Sequence, residues 1–153
     1  MPAEIADLVK YRLNKAAEDL TVSGVMLAET HFAISINRSY YAMFHATRAL
    51  LASDRFDSKK HSSIIGYFNQ NYVATGKIPQ EYHKMLVKAF TVRNNADYED
   101  FFLVSRTTAQ EQYDNAGRFI SMVTEYLHGM VELRRLGEYL FRFEFIALFG
   151  NNE

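Results

Sequence analysis

The chain has no cysteine and no tryptophan, and only two prolines and seven glycines in 153 residues. Without thiols there are no disulfides, thiolate metal sites or cysteine nucleophiles, and a reducing compartment fits. Scarce proline, with 48% hydrophobic and 23% charged residues, excludes the disordered classes and leaves an ordinary globular composition. No uncharged window approaches the ~18–20 residues that a membrane span requires, and Met1-Pro2-Ala3-Glu4-Ile5 carries no basic patch ahead of an apolar run. The expectation is a cytoplasmic protein that is neither exported nor membrane-spanning. A large charge excess is also missing: the formal net charge is −1, so any contact with RNA or DNA must come from a local patch. There is no phosphate-binding glycine loop, nucleophile elbow or paired-histidine zinc motif, and His31, His83 and His128 show no ligand spacing. No metal and no cofactor are expected.

What is present is helical periodicity over a length suited to one domain. Ile5, Leu8, Val9, Leu13, Ala16 and Leu20 recur at three- and four-residue steps over about 3–20, after which Thr21-Val22-Ser23-Gly24 either ends or bends the helix. A second helix over about 31–52 places Tyr40, Met43, Phe44, Thr47, Leu50 and Leu51 on a core face. After the polar break Asp54–Lys60, a shorter helix groups His61, Ile65, Phe68 and Tyr72. Gly76 and Pro79 mark a stop and a start, and Tyr82, Met85, Leu86, Ala89 and Val92 follow on a fourth helix. The fifth opens among Ser105, Thr107 and Thr108, where Thr108 and Glu111 have capping-box spacing, and runs through Ala109, Tyr113, Ala116, Ile120, Val123 and Leu127. The predicted fold is all-α, an antiparallel bundle of about five helices over 1–127 with an appended segment over 128–153. In that segment Phe141, Phe143 and Phe145 alternate as in a strand, while Leu136, Leu140 and Phe143 suit a helix; helix is the expectation, and core packing is preferred to a partner interface for the phenylalanines, Phe149 included.

Two places carry chemistry. The apolar stripe of the fourth helix, continued one turn, lands on Arg93, which either snorkels to solvent or is held in a cleft for an anion. Asn94 and Asn95 add hydrogen-bonding groups, Asp97 has the spacing of an intrahelical ion pair with Arg93, and Tyr98 brings a phenol able to donate to a phosphate oxygen. Phenols are poor general bases at neutral pH. On the second helix Arg38, Tyr41, His45 and Arg48, at steps of three, four and three, align two guanidiniums, an imidazole and a phenol; the stripe is either a phosphodiester-binding face or an ordinary solvated one. Lys59, Lys60 and His61 precede Ser62, so His61 can cap a helix, bind an anion or face water.

In order and spacing, Ile36-Asn37-Arg38-Ser39-Tyr40-Tyr41-Ala42-Met43-Phe44-His45, then Lys60-His61, then Arg93-Asn94-Asn95-Ala96-Asp97-Tyr98, then Ser105 and a last amphipathic helix, resemble the HEPN superfamily. The closest likeness is to its small bacterial and archaeal branch with an Arg-x-x-Ala-Asp-Tyr segment. The likeness covers about 31–127 and leaves out the tail. It implies a helical bundle that often dimerises and, in many members, a metal-independent ribonuclease acting as the toxin beside a minimal nucleotidyltransferase antitoxin.

The family's active motif is an arginine, commonly a polar neighbour, and a histidine four to six positions on, two copies meeting across a homodimer. Arg93 matches the arginine and Asn94 the neighbour, while Tyr98 stands where the histidine would be. Metal-free RNA cleavage needs a base, an acid and a cation for the phosphorane. By this likeness Arg93, Asn94, Asp97 and Tyr98 form the catalytic group, with His45 or His61 as base, and Arg38, Tyr41, His45, Arg48, Lys60 and His61 hold RNA or a nucleotide. The alternative is a non-catalytic module that binds a nucleotide, RNA or a protein and works with a nucleotidyltransferase, with Tyr98 as the candidate for adenylylation.

Overall fold

A computed structural model describes residues 1–149, with the side chains of all of these except 134 and 137–149. Five α-helices follow one another: α1 (Ala3–Ala28), α2 (Phe32–Ala52), α3 (His61–Phe68), α4 (Gln80–Tyr98) and α5 (Arg106–Phe149), with no strand among the described residues. The chain forms two compact units, Met1–Val123 and Thr124–Glu153. The first is an all-α antiparallel bundle. The second consists, as far as it is described, of the continuation of α5 to Phe149. The side chains of Phe141, Phe143, Phe145 and Phe149 lie outside the described residues.

The core of the first unit is built on α2, from which Ile36, Tyr40, Met43, Leu50 and Leu51 are fully buried with Ile64, Phe68, Leu86 and Phe119 of the other helices. Where α1 meets α2 the contact is made of small residues. Ser23 Oγ donates to the Ser35 carbonyl at 2.9 Å and lies 2.7 Å from Ser39 Oγ, while Ser35 Oγ donates to the Ser23 carbonyl at 2.9 Å. Short side chains let the backbones approach, and the hydroxyls satisfy one another without water.

That packing explains why α1 does not stop near residue 20. Ser23 spends its hydroxyl between helices rather than on a cap, and Gly24 faces α5, where an added Cβ would lie 3.1 Å from the Tyr113 ring. Glycine here serves close approach, and the helix runs on to Ala28. It ends in a Schellman-type turn, His31 N–H to the Met26 carbonyl at 2.8 Å and Thr30 N–H to Leu27 at 3.1 Å, with Thr30 in the left-handed region at φ 67°. At the start of α5 Ser105 is the capping residue: its Oγ accepts the Thr108 N–H at 3.1 Å. The expected Thr108–Glu111 box is not used, and Glu111 instead pairs with Lys88 of α4 at 2.5 Å. α3 continues into a single π-helical turn, Asn69–Val73, that places the buried Tyr72 with its hydroxyl on Asp54 at 2.6 Å.

Among the described residues no helix is long and apolar enough to cross a membrane.

Candidate functional site

Helices α2 and α4 run antiparallel, so the polar ends of two sequence motifs meet. Asn37 lies opposite Asp97 and Tyr41 opposite Arg93: Asn37 Nδ2 donates to Asp97 Oδ2 at 2.8 Å and Arg93 Nη2 donates to Tyr41 Oη at 3.2 Å. On α4 itself Val92 and Ala96 pack against Leu27, Ile36 and Ala109, which turns Arg93 and Asp97 to the edge of that core.

The Arg93 side chain is only 13% exposed, yet its partners are few and mostly neutral. Nη1 donates to Asn94 Oδ1 at 3.1 Å. Nε lies 2.8 Å from Asp97 Oδ2 but makes no hydrogen bond, because the carboxylate sits off the N–H axis; the contact is an ion pair of poor angle. Three phenol rings, Tyr40, Tyr41 and Tyr98, surround the guanidinium at 5.8, 5.2 and 5.4 Å from ring centre to Cζ. A cation among π faces with a single, misaligned carboxylate retains N–H donors for a further anion. Tyr98, 73% exposed, ends α4 and stands at the mouth of this group.

His61, the first residue of α3, reaches the same group from the side. Its Nδ1 is 2.6 Å from the hydroxyl of buried Tyr40, and its ring stacks on Phe44 at 4.2 Å and approaches Tyr41 edge-on at 6.0 Å. Burial, then the charges of Arg93 and Arg48, lower its pKa from the ordinary 6.5, so the imidazole is neutral at neutral pH. Burial and the neighbouring Tyr41 raise the Tyr40 phenol, which stays protonated and fixes the ring. With Nδ1 held by Tyr40, Nε2 is the nitrogen left for chemistry.

The α2 stripe is divided. Tyr41 belongs to the Arg93 group. Arg38 joins it at the rim, its guanidinium 5.1 Å above the Tyr41 ring and donating to Asn37 Oδ1 at 2.6 Å, but it is also anchored to Asp19 of α1 at 3.0 Å. His45 faces the same Asp19, with Nε2 3.6 Å from Oδ2. That carboxylate is already committed to Arg38 and does not rescue the imidazolium: burial, then Lys15, Arg48, Arg38 and Arg12, lower His45 to about 4. Arg48 turns away to grip Asp57 at 2.9 Å, a carboxylate it shares with the buried Arg12 at 3.0 Å. Lys60 is exposed just before α3, and its backbone N–H is taken by Ser58 Oγ at 3.1 Å.

The group therefore unites Arg93, Asn94, Asp97, Tyr98, Tyr41, His61 and, at its rim, Arg38, while His45 and Arg48 serve the α1–α2 seam. Sequence reasoning missed Asn37, Tyr40, Phe44 and Phe90 as members; the Phe90 ring lies 5.7 Å from that of Tyr40. One signal was available for Tyr40: a tyrosine on a core face must bury a hydroxyl, and a buried hydroxyl requires a partner.

Comparison with known proteins places these residues in a familiar setting. The HEPN domain model matches residues 9–126, which include every candidate residue from Arg38 to Tyr98. A UPF0332 protein of Gloeobacter violaceus is 34% identical over 116 residues, covering 75% of this chain and 92% of that protein. A UPF0332 protein of Thermotoga maritima is 25% identical over 123 residues, 80% of this chain and 93% of its own length. A Methanocaldococcus jannaschii protein that bears the name of a candidate toxin is 28% identical over 95 residues, 62% of this chain and 71% of its own.

Proposed function

This chain is a member of the HEPN domain family, and from that membership we propose that it is the toxin component of a toxin–antitoxin pair, a metal-independent endoribonuclease acting as a homodimer. Two relatives from Methanocaldococcus jannaschii carry toxin names, which supports the first part. The observation that carries the second is the setting of Arg93: a guanidinium 13% exposed, ringed by phenols, with one misaligned carboxylate and a neutral histidine alongside.

In this reading His61 Nε2 takes the proton of a ribose 2′-hydroxyl, with Nδ1–H donating to Tyr40. The 2′-oxygen attacks phosphorus, and the free N–H groups of Arg93 bind the non-bridging oxygens as the phosphorane forms. The 5′-oxygen leaves with a proton from Tyr98, which water returns, so the products are a 2′,3′-cyclic phosphate and a 5′-hydroxyl. Asn94 and Asp97 hold the guanidinium, and Arg38, Tyr41 and Lys60 bind flanking phosphates or bases.

Tyr98 favours a second reading. It is an exposed phenol where the family's nucleases carry histidine, and it is accessible to a partner enzyme. In that case the cleft binds a nucleotide or RNA without cutting, and a minimal nucleotidyltransferase antitoxin adenylylates Tyr98. Induction of the chain alone, wild type beside Arg93→Ala, separates the two. Growth arrest and RNA fragmentation only in wild type support the nuclease; no effect in either supports the binding module. Mass spectrometry after coexpression with the neighbouring gene product tests the modification, and an unmodified Tyr98 in a neutralised complex rejects it.

A further inference from the structure

The turn that joins α4 to α5 presents apolar side chains that the bundle does not use. It is pinned at both ends: the Glu99 N–H donates to the Asn95 carbonyl at 3.1 Å, and Val104 packs on Leu27, Ile36 and Ala109. Between the pins the Phe102 N–H closes a turn on the Glu99 carbonyl at 3.4 Å, and Phe101, at the third position of that turn, stands in the left-handed region at φ 61°. Glycine or asparagine is the usual choice there, because a β-carbon makes the conformation costly. Phe101 is nonetheless 100% exposed and Leu103 91%. An aromatic ring that neither suits its backbone nor buries its surface adds nothing to folding, which is the pattern of a contact residue.

Phe101 follows Tyr98 by three residues, so their Cα atoms lie within ~11 Å and the turn borders the mouth of the Arg93 group. The two flanks of that mouth differ in charge. Arg93, Arg38 and Lys60 supply cations from the helices, whereas Glu99 and Asp100 on the turn are exposed and have no cationic partner among the described residues. Phosphates are drawn to the first flank and repelled from the second, which can only accept hydrogen bonds. We propose that the turn reads the base of the nucleotide on the 3′ side of the cut: the Phe101 ring stacks on it, and a carboxylate of Glu99 or Asp100 accepts from guanine N1–H and N2–H. Guanine presents two adjacent N–H donors on one edge, uracil only one between two carbonyls, and that edge is open only in an unpaired strand. The inference rests on the nuclease reading for its direction, since Tyr98 protonates the leaving 5′-oxygen and the base beyond Tyr98 therefore belongs to the leaving nucleotide.

Full-length protein is titrated into two fluorescein-labelled 2′-O-methyl RNA hexamers that cannot be cleaved, one all uridine and one with a single central guanosine. Wild type should bind the guanosine hexamer at least tenfold more tightly. Phe101→Ala, with circular dichroism unchanged, should weaken that binding roughly tenfold, the size of one lost base stack, and Phe101→Tyr should retain it. The double variant Glu99→Gln, Asp100→Asn should bind both hexamers equally. Equal binding by wild type, wild-type affinity in Phe101→Ala, or a guanosine preference that survives loss of both carboxylates overturns the proposal. The unmodified hexamer should be cut on the 5′ side of its guanosine. Guanosine-dependent binding without any cutting upholds the turn and rejects the ribonuclease, whereas Arg93-dependent cutting that ignores Phe101 and the guanosine rejects the turn alone. Unchanged hexamer binding by Phe101→Ala, with loss of protection by the neighbouring gene product, also overturns base reading and assigns the turn to a protein partner.

Discussion

Two arginine clusters lie on opposite sides of α2, and they end differently because of what surrounds them. On the α1 side Arg12, Arg38 and Arg48 meet Asp19 and Asp57 with good geometry, and Arg12 also donates to the Arg48 carbonyl at 3.1 Å. Those of Arg12 and Arg48 are spent on holding helices together, while Arg38, anchored to Asp19, also reaches the rim of the Arg93 group. On the α4 side Arg93 meets one carboxylate at a poor angle, one amide and three phenols. The residue type is the same in both places, and the number and alignment of acceptors decide whether its N–H groups are taken up or left for a further anion.

The largest effect expected from this contrast is on activity. Arg93→Ala should lower RNA cleavage by ~10²–10³-fold, about 3–4 kcal/mol of transition-state stabilisation, with little change in melting temperature. A melting shift as large as that of a seam variant would erase the distinction between the clusters. The mirror experiment is Arg12→Ala, which removes a guanidinium 9% exposed, takes away its bond to the Arg48 carbonyl and weakens the hold on Asp57. It should cost about 2–3 kcal/mol by denaturant unfolding, and the protein that remains folded should keep its cleavage rate.

The two histidines sharpen the comparison through pH. His45 titrates at about 4 in the fold and near its ordinary 6.5 when unfolded, so the unfolded chain binds the extra proton in between. Its contribution to stability is complete above pH 6.5 and is lost as pH falls toward 4, at most roughly 3 kcal/mol. Asp19, whose burial raises its carboxyl, works in the opposite sense at the acid end of that window. His45→Gln should flatten the unfolding free energy between pH 6.5 and 4; an unchanged slope places the acid sensitivity elsewhere. His61, also lowered, should instead appear in the rate: cleavage should hold down through pH 6.5 and fall below it as the base is protonated. An acid limb centred above 6.5 would remove His61 as the base. The smallest effect belongs to Gly24→Ala, where the new methyl would press on Tyr113 and cost about 1 kcal/mol, read as a melting shift without loss of activity.

How much of this was legible in the sequence follows the same division. The helices were, because apolar residues recur every three or four positions, and Arg93 stood out because it interrupts such a run. Boundaries were less legible where a residue acts across helices: Ser23 and Gly24 look like a break until Ser35, Ser39 and Tyr113 are placed against them. The stripe Arg38, Tyr41, His45 and Arg48 was visible as one face, but its division between seam and site depends on Asp19, Asp57 and Arg93, which lie 19, 9 and 52 positions from Arg38, Arg48 and Tyr41 respectively. The contact between Tyr40 and His61 stayed hidden because periodicity reports that a side chain is buried, not what its hydroxyl meets.

Cleavage of a short RNA by purified protein in the presence of a chelator, wild type beside Arg93→Ala, tests the site most directly. Wild type should produce 2′,3′-cyclic phosphate and 5′-hydroxyl ends, and the variant should be at least a hundredfold slower. Equal cleavage by the two would contradict Arg93 as the centre of the site.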